Sequence, residues 1–174
     1  HNALLTVAAI PVHVSQAHEF GVIEVDSNGK MIGFEEKPQS NPKTIPGKPD
    51  YVLASMGNYI FDAKTLVDVL NEDAAQIDSK HDFGHNIIPK LYPGGEVYVY
   101  DFSSNAIRGE SQSSSGYWRD VGTIDSYYEA NMDLISIDPP FDVYNRYWEK
   151  VYAVCYNNIR DVEVAKEMVQ DIFK

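Results

Sequence analysis

The sequence predicts an α/β domain with a mixed, mainly parallel sheet and flanking helices, and three observations carry that prediction. Short apolar runs with strand alternation recur along the chain, helical patterns stand between and after them, and an Asn-Gly pair marks a tight hairpin. One further segment, Tyr117-Trp118-Arg119-Asp120-Val121-Gly122-Thr123, spells out a strand-turn-helix corner. Tyr117 and Trp118 favour a strand, and Gly122 permits the turn. Thr123 can N-cap a helix whose apolar face is Ile124, Tyr127, Tyr128, Met132 and Ile135. Ligands of open α/β sheets collect where strands end. Asp120 is therefore expected at a strand end, where its hard oxygen suits a magnesium ion beside phosphate-bearing substrates. On the pattern alone, the plainer reading of Asp120 is a solvated turn residue.

Taken in order, residues 4 to 11 read as a buried strand. Val22 to Val25 and Met31 to Phe34 alternate around Asp26-Ser-Asn-Gly29, a hairpin signal. Gln39 to Pro49 holds Pro42, Pro46, Gly47 and Pro49 and is expected as an exposed loop. Ala54 to Phe61 returns as a strand, and Asp62 can cap a helix carrying Leu66, Val67, Val69 and Leu70. Glu96 to Phe102 alternates as a further strand. Ser103 to Gly116 is serine-rich without periodicity and is expected as a mobile loop. Beyond Trp148, Glu149 to Tyr156 reads as a strand, and the rest as an amphipathic helix with Val162, Ala165, Met168, Val169, Ile172 and Phe173 on one face.

A chain of 174 residues, 44% hydrophobic, supports one core and is too short for two generous domains. The formal net charge of -12 argues against a nucleic-acid polymer or an anionic membrane as partner, since both require a cationic footprint. Phosphate substrates stay compatible with that charge, because one lysine and one magnesium ion reverse the potential in a local cleft. The single Cys155 forms no internal disulfide or thiolate cluster. No signal peptide is visible and the apolar runs are shorter than a membrane span, so a reducing cytoplasm is the expected compartment.

The residues that could carry chemistry fall in a few places. Lys37 precedes Pro38, which is expected to force extended geometry on it and so present its ammonium rigidly to a phosphate. The plainer alternative is a surface lysine in a turn. Ser55, Gly57 and Tyr59 fall on one strand face by alternation, with room for a ring and two hydroxyls to bond it; close helix packing would also select Ser and Gly. His81 and His85 are spaced to share a helix face, but two ligands without a neighbouring Cys make a poor zinc site.

Four blocks then resemble the bacterial glucose-1-phosphate adenylyltransferases, or ADP-glucose pyrophosphorylases, in family order over roughly residues 1 to 150. They are Phe20-Gly21-Val22 leading to Phe34-Glu35-Glu36-Lys37-Pro38, Leu53-Ala54-Ser55-Met56-Gly57-Asn58-Tyr59-Ile60-Phe61, His81-Asp82-Phe83-Gly84 with Ile87-Ile88-Pro89, and Trp118-Arg119-Asp120-Val121-Gly122-Thr123 with its following helix. The resemblance implies a partial Rossmann-like (GT-A-like) nucleotidyltransferase domain. It implies transfer of the adenylyl group of ATP to glucose 1-phosphate with Mg2+, in glycogen biosynthesis, by a homo-oligomeric (tetrameric) parent enzyme. It assigns Lys37 to the sugar phosphate, Glu36, Ser55 and Tyr59 to the glucose, Gly21 to a close backbone approach to the sugar, and Asp120 to the metal. It places the Asp82-Phe83-Gly84 block near the substrate cleft, with Asp82 as a structural or supporting candidate.

The family's glycine-rich nucleotide loop and its second metal aspartate are not found in this sequence, nor are hexapeptide repeats after Trp148. The chain is therefore expected to be the C-terminal half of the nucleotidyltransferase domain, residues 1-150, with little turnover by itself. Residues 151-174 form a tail outside the pattern: a divergent terminus, a junction with another module or a cloning artefact. The alternatives are a pyrophosphorylase for another nucleotide, thymidylyl or uridylyl, or a non-catalytic sugar-phosphate-binding regulatory module.

Overall fold

The computed structural model describes residues 2–105, 116–135 and 143–172, without the side chains of 143–147, 149 and 172. Most of the expected serine-rich loop, 106–115, and Phe173 lie outside the described residues. The chain divides into two compact units, His1–Asn105 and Ala106–Lys174.

The first unit is built on a five-stranded sheet of order β3-β2-β4-β1-β5. Its strands are β1 (Leu5–His13), β2 (Gly21–Val25), β3 (Met31–Glu36), β4 (Tyr51–Phe61) and β5 (Val97–Asp101). The sheet is mixed as expected, but its balance corrects the expectation of mainly parallel pairing. Only β1 and β5 run parallel, while β1–β4, β2–β3 and β2–β4 are antiparallel. The connections explain this: a parallel pair needs a long crossover, and only the passage between β1 and β5 contains helices long enough to supply one.

The β2–β3 hairpin follows the Asn-Gly signal. Asp26 Oδ1 accepts from the backbone N–H groups of Asn28 (2.8 Å) and Lys30 (2.9 Å), and Gly29 takes the left-handed φ of +75° that the turn requires. β4 carries a bulge. Val7 pairs with Tyr59 and Ala9 with Ser55, so Met56-Gly57-Asn58 stands opposite Ala8 alone, and Gly57 absorbs the distortion at φ +74°.

One face of the sheet buries Leu5, Val7, Ala9, Ile23, Met31, Leu53 and Val97 with Ile88 from the short helix α2 (Ile88–Leu91). The other face buries Val22 and Val52 against Ala17. Asp62 caps α1 (Ala63–Ala74) as expected, accepting from the Thr65 N–H and hydroxyl at 2.9 Å each. Of the apolar residues expected on α1, Val69 is buried while Val67 and Leu70 are exposed.

The second unit holds α3 (Ile124–Leu134), α4 (Val143–Ile159) and α5 (Val162–Ile172). Thr123 caps α3 in a reciprocal box with Ser126. Two expected strands are corrected here. Residues 117–121 take irregular backbone rather than a strand, because the β-propensity of Tyr117 and Trp118 does not by itself make a ladder. Residues 149–156 belong to α4, where Trp148, Val151, Tyr152 and Cys155 recur at helical spacing and pack with Ala165 and Val169 of α5. The apolar face expected on α3 is present as a helix face, but Ile124, Tyr127, Tyr128, Met132 and Ile135 are exposed.

Candidate functional site

Glu36 ends β3 directly opposite Gly21, the first residue of β2. β2 also pairs with β4 through Val22–Ala54, and the next position along β4 is Ser55. This register brings Gly21, Glu36, Ser55 and Tyr59 to one face of the sheet. Ser55 is buried, with its hydroxyl accepting weakly from the Gly57 N–H at 3.4 Å. Gly57 itself leaves the shared face predicted for it: the bulge exposes it, and nothing lies within 4 Å of where its Cβ would stand.

The wall of this site comes from a π turn, Phe83–Ile87, capped by Asp82 accepting the His85 N–H at 2.8 Å. Phe83 stacks on Tyr59 with ring centroids 5.3 Å apart and touches Phe61 at 5.8 Å, which fixes the tyrosine ring. Burial raises the Tyr59 phenol above its ordinary value; the hydrogen bond with Ser55 works the other way, and the Glu36 and Asp82 charges raise it further. Tyr59 is therefore a neutral hydroxyl, able to donate and accept.

A Cβ on Gly84 would overlap the Glu36 carboxylate, and one on Gly21 would stand 2.9 Å from its Oε2. The carboxylate is thus seated between two glycines, with Asp82 Oδ1 close to the same point. For Asp82, burial pushes the carboxyl upward, but the His85 N–H and imidazole and the Gly84 N–H outweigh it and hold the group below the ordinary value of 3.8.

Lys37 departs from expectation. Its φ is +49°, left-handed rather than extended. The turn is enforced on both sides: its N–H donates to the Phe20 carbonyl at 3.0 Å, its own carbonyl accepts from Gln39 Nε2 at 2.8 Å, and Pro38 is buried. Lys37, the residue after Glu36, is exposed. An acceptor carboxylate, two hydroxyls and a nearby cation form a surface suited to a polyol carrying an anionic group.

In the second unit Asp120 sits exposed in the irregular stretch before α3, not at a strand end. Its neighbours are fixed by side chains. Arg119 grips Asp133 with two contacts, Nε to Oδ2 at 2.6 Å and Nη2 to Oδ1 at 3.3 Å, and reaches Glu129 at 2.9 Å. Tyr117 donates to Asp133 at 2.8 Å. Asp120 offers one hard oxygen donor of the kind magnesium takes. No group of three His, Cys, Asp or Glu residues able to hold a metal occurs among the described residues. His81 and His85 do not share a helix face: His81 Nδ1 lies 2.8 Å from Asp73, and His85 Nδ1 lies 3.0 Å from Asp82.

Phe83 and Gly84 were expected only as members of a block packed near the substrate cleft, with no role for either residue, although an aromatic-glycine pair directly after a capping Asp was the available signal. Their roles depend on side chains from β3 and β4 that no local pattern connects to them.

A sheet that gathers a carboxylate, hydroxyls and a lysine at one end, with a glycine-seated acceptor, agrees with the family comparison. The chain belongs to the nucleotidyl transferase family, whose profile matches residues 1–137. Among individual relatives, it is 62% identical over 147 residues to glucose-1-phosphate adenylyltransferase 1 of Vibrio cholerae serotype O1, covering 84% of this chain and 36% of the relative. The glucose-1-phosphate adenylyltransferase of Photobacterium profundum is 61% identical over 148 residues, 85% of this chain and 36% of its own. That of Anaeromyxobacter dehalogenans is 52% identical over 156 residues, 90% of this chain and 38% of its own. The chain thus spans little more than a third of the length of these relatives. No helix among the described residues is long and apolar enough to cross a membrane.

Proposed function

We propose that this chain forms the sugar-phosphate side of a glucose-1-phosphate adenylyltransferase, which joins glucose 1-phosphate to the adenylyl group of ATP. The convergence of Gly21, Glu36, Ser55 and Tyr59 beside Lys37 carries this reading. In the reaction a phosphate oxygen of glucose 1-phosphate attacks the α-phosphorus of ATP, and the bond to the departing pyrophosphate breaks as the new P–O bond forms. Such transfers draw on positioning and charge neutralisation rather than covalent help.

Each residue has one task. Lys37 holds the acceptor phosphate, Glu36 accepts hydrogen bonds from sugar hydroxyls, and Ser55 with Tyr59 orients the ring. Gly21 presents bare backbone toward the sugar, with the Phe34 ring and the Glu36 carboxylate taking the space a Cβ would fill. Asp120 would supply one ligand to a magnesium ion, whose charge when bound offsets that of the phosphates. We further propose that the product serves glycogen synthesis in the cytoplasm, that the whole enzyme is a homo-oligomer, and that residues 151-174 stand apart from the catalytic portion.

Titration of residues 1–174 with glucose 1-phosphate, followed by amide chemical shifts, tests the reading. Shifts concentrated at Gly21, Glu36, Lys37, Ser55 and Tyr59, and weak with ADP, are expected. Shifts elsewhere, or none, overturn it. Turnover of the protein encoded by the complete reading frame should favour ATP over UTP and dTTP.

A further inference from the structure

The Glu36 carboxylate is an acceptor whose position is set by what is missing around it. On the β2 side Gly21 leaves the space; a Cβ there would meet Phe34 Cζ at 2.5 Å as well as Glu36 Oε2 at 2.9 Å. On the other side the buried Gly84 of the π turn lies against the carboxylate, and a Cβ would overlap Oε2 and lie 2.8 Å from Cδ. Gly84 has no left-handed φ, since the glycines with positive φ among the described residues are Gly29, Gly47, Gly57, Gly95 and Gly116. Backbone freedom therefore does not explain a glycine at 84, and space does.

The turn is also rigid where Gly84 sits. Asp82 accepts the His85 N–H at 2.8 Å, and the Asp82 carbonyl accepts the Asn86 N–H at 2.9 Å. Phe83 is stacked on Tyr59, and Ile87 and Ile88 are fully buried. A methyl group at 84 could not be accommodated by retreat of this turn without unstacking Phe83 or lifting Ile87 and Ile88 from the core. The Glu36 side chain, the more mobile partner, would move instead.

We infer that Gly84 is a positioning residue for the sugar-binding reaction, acting through Glu36: its lack of a side chain fixes the carboxylate at the point where it accepts from the hexose hydroxyls. This rests on the reading of Glu36 as a sugar ligand and adds a determinant from a separate element. A side chain at 84 shifts the acceptor and penalises the sugar substrate, while the nucleotide and the phosphate-binding lysine are untouched.

The experiment compares Gly84→Ala, Glu36→Asp, Glu36→Ala and the double variant Gly84→Ala/Glu36→Asp in the protein of the complete reading frame. Gly84→Ala should raise the KM for glucose 1-phosphate by about tenfold or more while the KM for ATP changes by less than about twofold, the split expected when one substrate's contact is displaced. Glu36→Asp withdraws the carboxylate, so adding Gly84→Ala to it should cost little more, a non-additive cycle. An unchanged KM for glucose 1-phosphate in Gly84→Ala, or a double variant whose defect is the product of the two singles, overturns the inference. If Gly84→Ala alone is too unstable to assay, the melting temperatures decide: recovery in the double variant supports the contact with Glu36, and no recovery overturns it. Glu36→Ala separates the two levels, because a variant with normal KM for glucose 1-phosphate removes the sugar-ligand reading itself, whatever Gly84 does.

Discussion

Lys37 carries two separable properties, a cation and a backbone bend. The left-handed φ of +49° in a residue with a Cβ costs on the order of 1 kcal/mol. Lys37→Ala and Lys37→Gly both delete the ammonium, but only glycine relieves the bend, so Lys37→Gly should unfold at equal or higher urea concentration than Lys37→Ala. Both should raise the KM for glucose 1-phosphate far more than that for ATP, since a charge-assisted phosphate contact is worth about 1.5 to 3 kcal/mol. Equal effects on the two substrates would detach Lys37 from the sugar phosphate. At Asp120, the Asn substitution keeps size and removes charge. Turnover should fall by roughly two or more powers of ten, the usual cost of losing a main electrostatic stabiliser. The magnesium optimum should move to higher concentration, and a metal-binding measurement with Mn2+ should weaken in parallel. Near-normal turnover would return Asp120 to a solvated turn residue.

At the scale of elements, the stretch carrying Asp120 owes its place to the Arg119–Asp133 pair and to the Thr123 cap. Thr123→Ala should destabilise α3 by about 1 kcal/mol, read as faster hydrogen exchange at the amides of Ser126 and Tyr127. The loop after α1 gives a pH signature. Asp73 is buried at 7% exposure, and the Ser79 hydroxyl (2.6 Å) and then His81 hold its carboxyl below the ordinary 3.8. A carboxylate with a depressed folded pKa contributes stability that is complete above the unfolded value and is lost as pH falls through the folded one. Unfolding free energy should therefore decline below about pH 4, and Asp73→Asn should flatten that decline. An unaltered acid limb in the variant would show that the pair does not carry it.

These elements also show which parts of the fold could be read in advance. The hairpin at Asn28-Gly29 and the caps at Asp62 and Thr123 were legible because each acts on backbone groups within three or four residues. The strands expected at 117–118 and 149–156 were misread because β-propensity does not say whether a partner strand exists, and the helical spacing from Trp148 to Cys155 prevailed once α5 was there to bury it. The bulge at Gly57 and the bend at Lys37 were illegible for a related reason. Both are imposed by neighbours distant in sequence, Ala8 in one case and Phe20 in the other.

At the scale of the whole molecule, the first unit owns its core, its sheet and the residues gathered around Glu36. Residues 1–105 expressed alone should unfold cooperatively and keep the glucose 1-phosphate affinity of residues 1–174; calorimetry and titration would check both, and loss of the β-sheet circular dichroism signal would refute it. The net charge of -12 gives the sugar phosphate a repulsive background that Lys37 must overcome locally. Added salt screens both that background and the Lys37 contact.

The pairing of β1, an interior strand of the sheet, bears on the order of assembly. β1 is completed only by Phe61 at the end of β4 and by Val97 on β5, whereas β2 and β3 close through a five-residue turn whose bonds are all local. Loop-closure entropy delays distant pairings. On the ribosome, the hairpin and its Gly21–Glu36 pairing can form while β1 still waits with both edges open, and the unit locks when β5 emerges. Folding should therefore be slow for its size, and mutations in the hairpin turn, which forms before the closing step, should slow folding and leave the unfolding rate little changed. During synthesis the apolar residues of β1 are the stretch that most needs a chaperone.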